Sequence, residues 1–210
     1  MEIWMKNYIL SYSFAIILVT ILNLLISKCR DEYMKKVNWQ HYLFGYFFIL
    51  YLMISLVDVT GFPSLSEWKR MIEHGKPILN LTNINLIPFV DGVELPNVLN
   101  IIFFMPFGFL LPTLWDKFKK LTPTLLYGFA FSAVIEVGQL FTMYRGTNVD
   151  DLIMNTFGTL IGWLIFKKMS KVFNELASKT GININKEDII FQKIEPCCYI
   201  LIAIICTFLF

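Results

Sequence analysis

Long apolar runs alternate with short basic or polar stretches along this chain. Five runs, at residues 7–27, 39–59, 97–115, 121–144 and 148–166, are long enough to cross a hydrocarbon layer of ~30 Å as helices. A sixth run, 196–210, has 15 residues, short of the ~17–25 that a span needs. It reads either as a thin sixth span or as a helix lying partly in the interface. The expected fold is all-α: a polytopic transmembrane helical bundle of five spans plus a short sixth. The organisation that follows is two N-terminal spans (1–60), an outer-face segment with an interfacial helix (61–96), a three-span core (97–166), a cytoplasmic connector (167–195) and the marginal C-terminal span (196–210).

Composition agrees with the pattern. The 210 residues are 56% hydrophobic and only 16% charged, with a mean hydropathy of +0.60, more apolar than a soluble domain. A net charge of +2 supplies no broad field for nucleic acid. The N-terminal run is followed by no small-residue cleavage site, so it reads as a retained span. Cys29, Cys197, Cys198 and Cys206 lie in or beside apolar runs without metal-ligand spacing to either histidine, which points to buried thiols and to no metal or cofactor.

Basic residues set the orientation. Lys28, Arg30, Lys35 and Lys36 follow the first run, Lys117, Lys119 and Lys120 the third, and Lys167, Lys168, Lys171, Lys179, Lys186 and Lys193 the fifth. The other side holds only Lys6, Lys69, Arg70, Lys76 and Arg145. The positive-inside rule then places the N-terminus, residues 60–96 and residues 145–147 on the outer side of the membrane.

In the outer segment, SLSEWKRMIEHG reads as a short helix. Ser64 and Glu67 form a capping-box pattern and Gly75 a stop, with Leu65, Trp68 and Ile72 expected on the membrane-facing side. LIPFVDGVEL carries an Asp-Gly turn between apolar runs, a hairpin signal. Val172 and Leu176 with flanking lysines point to an interfacial helix in the connector.

The most polar stretch of the greasy region is EVGQLFTMYRGTNVDDLIMNTFGTLIG, residues 136–162. With the inner lysines as rulers and a helical rise of ~1.5 Å per residue, Glu136 and Asp151 both sit ~24 Å up their spans and Asn100 ~26 Å up the third. Three polar side chains on three successive helices thus reach one level below the outer boundary, which predicts a recess opening outward. Glu136 and Gln139 share one helix face, and Asp151 and Asn155 share another that continues through Gly158 and Gly162, a G-x-x-x-G stripe for close helix packing. Thr147 and Asn148 are natural caps with carboxylates behind them, and Arg145 is placed to pair with Glu136 or Asp151. Plainer roles stand beside these: Asp150 as a cap, Arg145 as an interfacial anchor, Gln139 and Asn155 as helix-to-helix hydrogen bonders, Asp58 as an exposed helix end and His74 as a solvated residue. A carboxylate as deep as Glu136 is costly in a bilayer and points to function.

These residues resemble the VanZ-like family of bacterial membrane proteins. The resemblance runs over about 85–165, through NLIPF (85–89), NVLNIIFFMPFGFLLP (97–112) and the E-x-x-Q, R, D-D-x-x-N-x-x-G block at 136–158. Phe107 departs from it, standing where the family often has a smaller aliphatic residue, and the tail beyond Lys168 is long. The resemblance implies a link to resistance against the glycopeptide antibiotic teicoplanin, which acts outside the cell on lipid-linked cell-wall precursor.

The first functional expectation is a non-enzymatic envelope protein. Its outward recess would bind membrane lipid, a lipid-linked cell-wall precursor or the lipoglycopeptide through Asn85, Asn97, Asn100, Glu136, Gln139, Arg145, Asp150, Asp151 and Asn155. The alternative is a membrane enzyme on a lipid-linked precursor, with Glu136 as base and Asp151 as its partner or a metal ligand. Against it stands the lack of a Ser, Cys or His in the cluster, Thr147 and Tyr144 being the nearest hydroxyls. A lipid or solute transporter ranks third, because the cluster is one-sided and neither a polar site near the inner face nor an inverted repeat is evident.

Overall fold

The computed structural model describes residues 2–33, 39–90, 92–172 and 189–210. Among them are seven helices: α1 (Glu2–Tyr33), α2 (Trp39–Ile54, continued by a π-helical turn at Ser55–Val59), α3 (Leu65–Glu73), α4 (Leu95–Leu114), α5 (Leu121–Gln139), α6 (Val149–Val172) and α7 (Ile189–Leu209). Five of them contain segments long and apolar enough to cross a membrane. The chain is an all-α membrane protein. Its large apolar side chains divide accordingly: Leu24, Leu126, Phe129 and Leu201 point outward, where lipid takes the place of water, while a second set fills the centre.

That centre is aromatic. Phe48 of α2, Phe104 and Phe107 of α4, Phe131 of α5 and Tyr199 of α7 are buried, and Phe107 stacks on Phe131 with ring centroids 5.0 Å apart. The bulky Phe107 therefore fits because three other rings, Phe48, Tyr51 and Phe104, close around it.

The tightest packing joins α4, α5 and α6, and the stripe expected on the fifth run makes it. A Cβ on Gly158 would strike the Ile101 carbonyl, and one on Gly162 the Met105 carbonyl. Gly108 answers from α4, lying against the Thr159 backbone, and Gly128 of α5 takes the Thr159 side chain. Backbones in contact gain dispersion that lipid cannot replace.

Several expectations change. The fourth run stops being helical at Gln139 rather than at 144, because Thr142 accepts the Arg145 N–H and gives its own N–H and hydroxyl to the Gln139 carbonyl. The hairpin at 86–95 does not form. Gly92 closes a turn onto Phe89, and the strand pairing is instead a two-residue parallel bridge, β1 (Ile84–Asn85) to β2 (Thr147–Asn148). Asp91 lies outside the described residues. Helix α3 forms with Ser64 accepting the Glu67 N–H, and the chain leaves it through Gly75 at φ +64°. Its buried residue is Met71, and Ile72 is 62% exposed, open to lipid as the sequence expectation requires. The Glu67 carboxylate does not complete a capping box but accepts the Met143 N–H at 2.9 Å. Cys206 is buried as expected, whereas Cys197 is exposed. Asp58 is exposed, and it accepts hydrogen bonds from Tyr8 and Tyr12 at 2.6 and 2.9 Å. The connector helix expected around Val172 and Leu176 falls mainly on residues 173–188, outside the described part.

The last apolar run is helical and packs against the bundle. Helix α7 packs on α1 and α2 along its length, from Glu195 against His41 at one end to Thr207 beside Met53 and Phe208 on Trp68 at the other. It starts before Pro196, but its apolar part, Ile194–Leu209, stays shorter than the five segments that could cross a membrane.

Candidate functional site

The α5–α6 connection is the anchoring point of the segment between α2 and α4. Thr147 donates its hydroxyl to the Glu136 carbonyl, and the Glu136 carboxylate accepts the Asn148 N–H at 2.8 Å. One residue of α5 thus holds two successive residues at the start of α6, and this explains why a carboxylate 5% exposed persists in the span. Asn148 caps α6 by accepting the Asp150 N–H, as the sequence suggests, while Thr147 serves the bridge instead. From the outer segment, Trp68 donates to the Phe141 carbonyl, Asn80 to the Leu140 carbonyl, and the Thr147 N–H goes to the Asn83 carbonyl.

The two aspartates at the start of α6 diverge. Asp150 is buried and accepts the N–H of Phe89 at 2.8 Å. Phe89 sits at φ +56°, a region a bulky residue seldom adopts, so a buried charge fixes the strained end of NLIPF. Asp151 turns toward α4 and accepts from the Asn100 side chain at 2.6 Å. Depth counting from the lysines anticipated that meeting. Glu136 and Asp151 are also within electrostatic reach of one another.

The remaining candidates have local partners. Asn85 accepts the Ile87 N–H, and Asn97, buried, accepts the Glu94 N–H at the start of α4. Gln139 donates to the Thr60 carbonyl, and Asn155 donates to Ser132 at 2.9 Å. Ser132 lies one turn below Glu136, so a serine does belong to this polar system, contrary to expectation. Gln139 Oε1 and Asn155 Oδ1 are buried without a hydrogen-bond partner.

Arg145 makes no ion pair with Glu136 or Asp151. Among the described residues the ion pairs are His41–Glu195 and Lys119–Asp116. The exposed guanidinium rests on the Val59 carbonyl and lies against Gly61, whose φ of +62° and missing Cβ make the room. It is near enough to Asp151 to feel its charge, and of its five donors the Val59 carbonyl takes one. Among the described residues no three acidic, His or Cys side chains gather as a metal site.

A second polar centre occupies the opposite end of the bundle. Glu195 of α7 accepts from His41 Nε2 and from Trp115 Nε1, each at 2.9 Å, and all three are buried. Nearby, Tyr199 donates to Asn23 at 3.1 Å and fills the space above Gly45. His41 Nδ1 and Asn23 Nδ2 are buried without partners. No such site was expected at this end. Its residues are scattered over four helices, and Glu195, just ahead of Pro196, looks in sequence like the end of a connector. The finding removes one of the arguments against transport.

No curated protein and no solved structure matches the chain significantly. A family model does, VanZ/LLP1, over residues 48–174. The match takes in α4, α5, α6, the outer segment and the whole of the Glu136–Arg145–Asp151 cluster, and it leaves out His41 and Glu195. This chain belongs to the VanZ/LLP1 family.

Proposed function

We propose that the protein works at the outer face of a bacterial cytoplasmic membrane, where the polar cluster at the end of α4–α6 binds the anionic part of a lipid or lipid-linked cell-wall precursor. Through that site it would take part in the glycopeptide response with which the family is linked. The observation that carries this reading is Arg145: an exposed cation with no ion-pair partner among the described residues, set beside Asp151 and held by backbone contacts that leave its donors for a ligand. Glu136 would hold the cluster's shape, and Asp151 would offset the cation's charge when no ligand is bound. Asn100 would fix Asp151.

The basic loops support a topology with the N-terminus outside, and the packing of α7 beside α2 supports a sixth crossing that returns the C-terminus to the outside. The test is teicoplanin susceptibility in a host that expresses the chain. Wild type is expected to lower susceptibility, and Glu136→Ala to abolish that effect at equal membrane abundance. An Ala variant as protective as wild type would overturn the assignment.

A further inference from the structure

Behind the polar cluster, on the other side of α5, lies an apolar groove of about 480 Å³, the size of a ligand cleft. Phe62, Trp68, Val137, Phe141, Ile204 and Phe208 line it. It is a built feature. Gly138 lacks the Cβ that would collide with the Phe62 ring, and the Trp68 indole is tied to the Phe141 carbonyl at 3.0 Å and packs edge-on against Phe208 at 4.9 Å.

The mouth of the groove is basic. Helix α3 carries exposed Lys69 and Arg70, Lys76 follows it, and Arg145 lies against Gly61, the residue before Phe62. Glu67, whose carboxylate accepts the Met143 N–H, Glu73, and Asp151 beside Arg145 offset part of this charge, and the cations still outnumber them. An apolar slot under a positive rim is complementary to an amphiphile whose hydrocarbon chain enters the slot while an anionic head stays at the rim.

We infer that this groove is a lipid site that takes one hydrocarbon chain of a phospholipid with an anionic head group, with Arg145 and the basic end of α3 receiving the head. The inference rests on the outer-face reading above and names the chemical class of ligand. It also gives α7 a task, since Ile204 and Phe208 form the second wall.

The test uses the full chain in nanodiscs of phosphatidylcholine containing a small share of either phosphatidylglycerol or phosphatidylcholine with a photoreactive group on one acyl chain, with labelled peptides mapped by mass spectrometry. Labelling should concentrate on residues 133–141 and 204–208, about fivefold stronger for the anionic lipid. Val137→Trp fills the slot from a side chain that is 56% exposed and should cut this labelling about tenfold. Ile204→Trp, from the opposite wall, should do the same, and thermal melting checks that both variants fold. Arg145→Gln should remove the head-group preference while labelling of the slot continues. Labelling spread evenly over lipid-facing positions such as Leu126 and Leu201, or unchanged in both Trp variants, overturns the groove. Equal labelling by the two lipids overturns the anionic head. If the groove fails while Glu136→Ala still abolishes protection, the outer-face reading stands without it; if Glu136→Ala stays protective while slot labelling follows the Trp variants, that reading fails and the groove is an independent lipid site.

Discussion

Both ends of the bundle bury a carboxylate, and they satisfy it differently. Glu195 receives two side-chain donors, His41 and Trp115, from two other helices. Glu136 and Asp150 receive backbone N–H groups from the chain that folds over the helix ends. A buried charge held by side chains fixes helices against one another. A carboxyl group held by backbone amides shapes a loop, and it leaves other side chains at the rim free for a ligand. The first centre lies mostly outside the matched family region and the second wholly inside it, which fits a structural role for one and a functional role for the other.

The comparison breaks first at Glu195. Glu195→Ala strands a buried His41 and Trp115 and should cost about 3–5 kcal/mol, seen as a large drop in melting temperature of the detergent-purified protein. Asp150→Ala is expected to cost about 1.5–3 kcal/mol, the value of a hydrogen bond to a charged group. Its signature is local: faster protease cleavage within residues 80–95, a result that global loosening of the helices would not give. Gly162→Ala tests the helix contact beneath the outer cluster and should cost about 1–3 kcal/mol by forcing α6 off the Met105 carbonyl. Arg145→Ala should change stability by no more than about 0.5 kcal/mol, as an exposed side chain without an ion pair. If it destabilises as much as Asp150→Ala, Arg145 is a structural pin and the contrast between the two ends is lost.

The family region was the more legible part. Helical periodicity put Asp151, Asn155, Gly158 and Gly162 on one face, and counting from lysines brought Asn100 level with Asp151, because both arguments need only regular helix geometry. Loops escaped such counting. The Asp-Gly turn promised a hairpin, yet residues 84–85 pair with 147–148, which Glu136 holds in place from a distant part of the chain. The His41–Glu195 centre was illegible for a related reason. Its residues are 154 positions apart, and each alone resembles an ordinary helix end. Arg145 is exposed beyond the end of α5, and the carboxylates beside it suggested an ion pair where the structure has a contact with the Val59–Gly61 backbone.

The central claim is that Arg145 is kept available for a ligand. Its most direct test is the teicoplanin susceptibility of cells carrying Arg145→Ala at wild-type abundance and melting temperature. The account predicts susceptibility equal to that of cells without the protein; protection equal to wild type would contradict it.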